Sequence, residues 1–199
     1  MHTRYVTMTG ADQIDDGVSF LREKVAPALS EQKGYRGLLA AADWSAGVVG
    51  ILSFWETAAD RDASESTAGK LRAEALHIFG GELQVERFDQ VVFNVSESPA
   101  TGLPMVFTRI SMDPSRIDAN FADFTSEVLP AIRARRGFCA LCRMIDRVTG
   151  EGLVGTVWTD EEAMEAWAAE GATRRQAARA RGVSLGPMTF REIIYTDLA

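Results

Sequence analysis

Residues 117–132, IDANFADFTSEVLPAI, matched to residues 14–29, IDDGVSFLREKVAPAL, decide the fold. Set 103 positions apart, Ile14, Val18, Leu21, Val25 and Leu29 fall on Ile117, Phe121, Phe124, Val128 and Ile132. Steps of four, three, four and four put each set on one face of an amphipathic helix. The same shift aligns Pro27 with Pro130, Gly34 with Gly137, Tyr35 with Phe138, Leu38 with Leu141 and Trp55 with Trp158. Working outward, Gly47-Val48-Val49-Gly50 resembles Gly152-Leu153-Val154-Gly155, a drift of register that hairpin loops absorb. Near the ends Phe88, Val91, Val92 and Phe93 fall on Phe190, Ile193, Ile194 and Tyr195. The chain is a head-to-tail duplication, with repeats at 1–97 and 105–199. A linker at 98–104 lies in the turn-forming stretch Ser96-Glu97-Ser98-Pro99-Ala100-Thr101-Gly102-Leu103-Pro104.

The second repeat reads as strand, helix, strand, strand, helix, strand. Met105 to Met112 forms the first strand, and Asp113-Pro114 then supplies an N-cap and a proline at the first helical position. Pro130 and Pro27 interrupt the last turns of their helices and predict an inherited bend. Phe138 to Asp146 and Gly152 to Trp158 form a hairpin. Thr159 and Glu162 have capping-box spacing at the start of a second helix that breaks at Gly171 and stops near Gly182. Met188 to Thr196 closes the unit as its last strand. This order is the split β-α-β arrangement, α+β and ferredoxin-like, with helices on one face of an antiparallel sheet. Strands such as Gly152 to Trp158 and Gln90 to Val95 are apolar on both faces, so the helix-free face also demands cover. The expectation is two such sheets packed face to face within one chain, a pseudo-dimeric α/β barrel, with further homodimerisation left open.

Composition narrows the function. Of the 199 residues 46% are hydrophobic and 25% charged, ordinary globular values. A net charge of -7 disfavours nucleic acid as a partner, and Arg174, Arg175, Arg179 and Arg181 are expected on a solvated helix face. No apolar run is long enough to span a membrane and no signal-peptide core is present, so the expected location is the cytoplasm. Cys139 and Cys142 stand three apart in a strand, where side chains point to opposite faces, so they read as buried structural thiols rather than a redox pair. With His2 and His77 the only histidines, no metal site is expected.

The segments Val25-Ala26-Pro27-Ala28-Leu29 and Val128-Leu129-Pro130-Ala131-Ile132 resemble the antibiotic biosynthesis monooxygenase-like members of the dimeric α/β-barrel superfamily. So do Gly34-Tyr35 and Gly137-Phe138, and the passages Phe54-Trp55-Glu56-Thr57 and Val157-Trp158-Thr159-Asp160. The resemblance covers both repeats and implies a fused version of a barrel usually built from two chains. It also implies an oxidoreductase reading, because the family includes cofactor-independent oxygenases of aromatic polyketide-like substrates, beside haem-degrading enzymes. The haem-degrading branch uses an asparagine on the first strand, a helical tryptophan and a histidine about ten residues on. On this chain those positions carry Thr108, Trp167 and Ala177 in the second repeat, and Tyr5, Ser64 and a displaced His77 in the first. Neither set is complete, so haem ranks last and no cofactor is expected.

A cofactor-free oxygenase needs a water-excluding pocket with polar groups that favour the substrate anion. The candidate catalytic residues are His77, Trp167, Tyr5 and Thr108, with Trp55, Trp158 and Arg109 as candidate substrate contacts. Among these candidates His77 is the histidine, the side-chain type best suited to proton transfer at neutral pH. Arg109 lies mid-strand, where a charge needs a partner or water, and it is placed either in a cleft or at a solvated edge. The expected ligand is a small hydrophobic, aromatic molecule. The alternative is a non-catalytic ligand-binding or structural pseudo-dimer module, in which the large aromatics simply fill the core.

Overall fold

The computed structural model describes residues 1–198, with Gln90 described by its backbone only. The chain folds as two compact units. Unit 1 begins with β1 (His2–Thr9), followed by α1 (Ile14–Phe20) and α2 (Ala26–Ser30), then the hairpin of β2 (Tyr35–Asp43) and β3 (Val48–Trp55). Helices α3 (Ala58–Ala63) and α4 (Glu65–Phe79) lead to β4 (Glu82–Phe88). The strand order is β4-β1-β3-β2, all neighbours antiparallel, which is the ferredoxin-like order. A fifth strand, from the C-terminal end of the chain, pairs with β2 through Leu39↔Thr196 to Ala42↔Glu192.

Alternation along the strands sorts the side chains by face. Val6, Met8, Leu38, Ala40, Val49, Ile51 and Trp55 join Leu21, Val25, Leu29, Ala68, Ala75 and Phe79 of the helices in one core. Each large apolar side chain so buried contributes about 1.5–3 kcal/mol. On the opposite face of the same strands Tyr5, Leu39, Leu52 and Phe54 are buried as well. These strands are therefore covered on both faces, whereas Val91 to Asn94, expected to be covered likewise, are only half-buried and Val95 is exposed.

Unit 2 opens with β5 (Gln90–Val95), and β6 (Pro104–Met112) leads through one 3-10 turn into α5 (Ile117–Asp123) and α6 (Leu129–Arg133). The hairpin of β7 (Phe138–Ile145) and β8 (Glu151–Trp158) follows, then α7 (Glu161–Ala169), α8 (Gly171–Ala180) and the Val183–Phe190 part of β9 (Val183–Thr196). The order is β9-β6-β8-β7-β5. The first four positions repeat the ferredoxin-like order, and β5 is again a fifth strand on the hairpin edge, paired with β7 from Gln90↔Ile145 to Val95↔Ala140.

The compact units thus differ from the sequence repeats. Gln90–Pro99 belongs to unit 2, and the stretch from Arg191 belongs to unit 1. Each repeat carries a long terminal strand region whose second part completes the sheet of the other unit. The aligned segments Val91-Val92-Phe93 and Ile193-Ile194-Tyr195 are these exchanged parts.

The expected helix bends take a definite form. A π-helical turn spans Leu21–Val25 and another Phe124–Val128, each followed at once by the proline-bearing helix. Proline has no N–H to donate and its ring crowds the carbonyl four residues back, so the turn widens. The Leu129 N–H then reaches the Phe124 carbonyl, as Ala26 reaches Leu21. Gly34 (φ +73°) and Gly137 (φ +76°) reverse the chain in the left-handed region that favours glycine. Their carbonyls accept from Glu56 N–H at 2.7 Å and Thr159 N–H at 2.8 Å, tying each turn to the start of the following helix.

Three local expectations are corrected. The N-cap of α7 is Asp160, whose carboxylate accepts from the Ala163 N–H at 2.8 Å, in place of a Thr159–Glu162 capping box. A charged acceptor is the stronger cap, and Thr159 instead donates to Asp160. The last strand begins at Val183, five residues earlier than Met188, because Gly182 (φ +76°) turns the chain straight into it. Arg174, Arg175 and Arg181 are half-buried rather than on a solvated face, whereas Arg179 is exposed.

Candidate functional site

Between the sheet and the helices of unit 2 lies a cavity of about 180 Å³. Its floor is sheet: Thr108 and Ile110 of β6, Arg143 of β7 and Val154 of β8, all on the helix-facing side of their strands. Asn120 of α5, Phe124 and Val128 of the π turn and Ile132 of α6 form one wall. Trp167 of α7, Arg174, Arg175 and Ala178 of α8, and Arg181 just after α8 form another. The break at Gly171 swings α8 across the cavity, so α8 presents its arginines and alanines to it.

Arg143 is the chemically distinctive member. It lies in a strand whose residues are all buried, and it is itself 3% exposed. Its Nη2 donates to the Asn120 amide oxygen, and its guanidinium lies 4.7 Å from the centre of the Phe124 ring. Burial lowers its pKa to about 10, still far above neutrality, so it remains a cation. Trp167 is sandwiched: the Arg174 guanidinium stacks 3.5 Å from its ring centre, and Trp158 lies 5.3 Å away on a tilted plane. Arg174 also donates to the Trp167 carbonyl.

The corresponding space in unit 1 is largely filled, leaving a cavity of about 40 Å³. Arg4, 2% exposed, occupies it from β1 and donates to Ser64 Oγ at 3.1 Å and to the Arg61 carbonyl at 2.5 Å. Glu65 pairs with Arg4 at 2.9 Å. Ser64, at the sequence position equivalent to Trp167, thus serves as a hydrogen-bonding anchor.

Of the residues singled out in the sequence, Thr108 and Trp167 come together in the unit 2 cavity. Trp158 is fully buried beneath Trp167, its indole donating to Thr156 Oγ1 at 3.1 Å, and it reaches only a neighbouring cleft. Trp55 is its counterpart, fully buried and donating to Ser53 Oγ at 3.0 Å. His77 sits exposed in the last turn of α4 and lines neither cavity. Arg109 is exposed on the helix-free side of β6. Tyr5 is buried on the helix-free side of β1 and accepts from Arg191 at 2.8 Å.

The equivalence of Tyr5 with Thr108 is overturned by register. Arg4 opposes Ser53 as Val106 opposes Thr156, so Thr108 matches Val6, and a slip of one residue moved Tyr5 to the wrong face. Arg143, Asn120 and Arg174 were missed. The signal for Arg143 was present: a lone charge inside the apolar run Phe138-Cys139-Ala140-Leu141-Cys142-Arg143-Met144-Ile145. In that run Cys139 and Cys142 are free and buried, with burial holding both thiols above their ordinary pKa, Cys139 at about 11. Among the described residues no cluster of three His, Cys, Asp or Glu could hold a metal ion, and no helix is long and apolar enough to cross a membrane.

No protein-family model matches the sequence. An uncharacterised protein of Mycobacterium tuberculosis, Rv2557, is 28% identical over 152 residues, covering 76% of this chain and 68% of that one. A second from the same organism, Rv2558, is 27% identical over 133 residues, covering 67% and 56%. Among solved structures, a candidate monooxygenase from Fusobacterium nucleatum superposes with a TM-score of 0.71 at 14% identity, over 98% of this chain and 92% of its own. An anthrone oxidase-like protein gives 0.64 at 15% identity, over 98% and 92%. A ferredoxin-fold protein of Listeria monocytogenes related to antibiotic biosynthesis monooxygenases gives 0.52 at 11% identity, over 96% and 94%. Identities this low speak for the fold alone, and the chain has the ferredoxin-like α+β fold of the antibiotic biosynthesis monooxygenase type, in duplicate.

Proposed function

We propose that the chain binds a small, hydrophobic, aromatic molecule in the cavity of unit 2, while unit 1 is occupied by its own side chains. The observation that carries this is the contrast between about 180 Å³ in unit 2 and about 40 Å³ in unit 1. An apolar cavity of about 150 Å³ is enough to take up benzene. The walls suit a flat ring: Phe124 on one side, Trp167 on the other, and aliphatic side chains between. Binding of this kind needs no metal or prosthetic group. Haem does not fit the residues present, because His77 is elsewhere and no imidazole or thiolate lines the cavity among the described residues.

Cofactor-independent oxygenation is the chemistry that the family resemblance offers for this cavity, and one structural neighbour is named anthrone oxidase-like. The lining contains no carboxylate or imidazole to act as a general base among the described residues. Turnover would therefore suit only a substrate acidic enough to ionise beside the arginines. Binding is tested by quenching of tryptophan fluorescence with naphthalene-type ligands, in the natural chain and in Ala178→Leu, which fills the cavity from α8. Saturable quenching lost in Ala178→Leu is the expected result. Absence of saturable quenching in the natural chain sinks the proposal. Oxygen uptake with an anthrone then separates an enzyme from a binding module.

A further inference from the structure

We infer that the unit 2 cavity takes an anionic aromatic ligand, a flat apolar body bearing one carboxylate or ionised hydroxyl, with Arg143 as its counter-ion. This rests on the binding proposed above and specifies its chemistry. A buried guanidinium is costly to keep, and chains ordinarily offset the cost with a carboxylate. Arg143 is 3% exposed, and among the described residues its partners are the neutral Asn120 amide and the Phe124 ring. Unit 1 supplies the internal comparison. There the equally buried Arg4 has Glu65 at 2.9 Å together with Ser64 and the Arg61 carbonyl.

The charge of the remaining wall points the same way. Arg174, Arg175 and Arg181 line the cavity with Arg143, and no Asp or Glu does among the described residues. Arg181 is compensated at the rim by Glu127 at 3.0 Å, and Arg174 is engaged with Trp167. Arg143 is left as the cation at the floor, with Asn120 fixing one edge of its fork. A guanidinium so fixed presents its other donors without further loss of side-chain freedom. Its position between Phe124 and the sheet lets a ligand's ring pack on apolar wall while its anionic group meets the fork.

The test compares 2-naphthoate with its neutral isostere 2-naphthamide by isothermal titration at neutral pH, using the full chain. Naphthoate is expected to bind roughly tenfold or more tightly than the amide, the usual margin for a charge-assisted hydrogen bond. Arg143→Gln should erase that preference, read as the ratio of the two affinities within the variant. Asn120→Asp installs an internal carboxylate against Arg143 and should erase it too, in a variant that keeps the arginine and its packing. Bound 2-naphthol distinguishes the two sources of charge: a naphtholate absorption band at neutral pH identifies an ionised hydroxyl as an accepted ligand, and its absence restricts the site to carboxylates. Equal affinities in the natural chain, or a preference that survives both substitutions, overturns the inference and leaves aromatic binding intact. If neither naphthalene compound binds, the proposed function falls with it.

Discussion

Arg4 and Arg143 are two solutions to one problem at the scale of a single residue. Burial lowers the pKa of each to about 10; at Arg4 the charges of Arg72, Arg87 and Arg61 act in the same direction and Glu65, the acid within reach, acts against them. For Glu65, burial alone would raise the pKa, but the hydrogen bond from Arg72 and the charges of Arg4, Arg72 and Arg87 outweigh it and hold it below the ordinary value of 4.5. A carboxylate depressed in the folded state contributes stability that is present above its unfolded pKa and lost as pH falls through the folded one. Thermal melts of the natural chain should therefore weaken as the pH drops below about 4.3, the ordinary range of glutamate. Glu65→Gln should lower stability by about 1–3 kcal/mol at neutral pH by leaving the buried Arg4 cation without its counter-charge, and should flatten the acid limb. For Arg143, the paired replacement Arg143→Met with Asn120→Leu should leave stability equal or higher in scanning calorimetry, because apolar groups replace both partners at once. Legibility at this scale was partial. Thr108 and Trp167, singled out through the family resemblance, line the unit 2 cavity, whereas His77, singled out by its chemistry, lies exposed and lines neither cavity. Arg143 was passed over in favour of Arg109, although its neighbours were more uniformly apolar.

At the scale of elements, the two proline-associated π turns position the cavity wall. The turn at Phe124–Val128 carries Phe124 over Arg143 and ends where Pro130 enters the next helix. Pro130→Ala restores a backbone donor and is expected to let the turn relax towards regular α-helix, costing about 0.4–1 kcal/mol through the freer unfolded chain. Amide exchange over Val128 to Ile132 and chemical denaturation would check this, and an unchanged exchange pattern would show that packing alone holds the turn. The helix stripes, the hairpins and the break at Gly171 were legible because their spacing is fixed by backbone geometry. Register was less so. The shift of 103 that suits the helices becomes 102 on the first strand, and a difference of one residue exchanges the two faces of a strand.

For the whole molecule, the duplication could be read directly, and the exchange of terminal strands could not. Val91-Val92-Phe93 announces a strand without naming the edge it joins. A chain ending at Phe190 would strip unit 1 of its fifth strand and expose the edge of β2. Hydrogen exchange at Leu39 to Ala42 should then accelerate, while amides of β7, whose edge is covered by β5, keep their protection. Equal acceleration in both units would mean that they do not open independently.

The unequal cavities have a consequence that a pair of identical subunits could not realise. In a symmetric assembly every substitution appears twice, so filling one pocket fills both. Two units in one chain are not bound by that rule: unit 1 is filled by an arginine and its acid, and unit 2 keeps its cavity. A substitution that reshapes the open space of unit 2 therefore leaves the packing of unit 1 as it was.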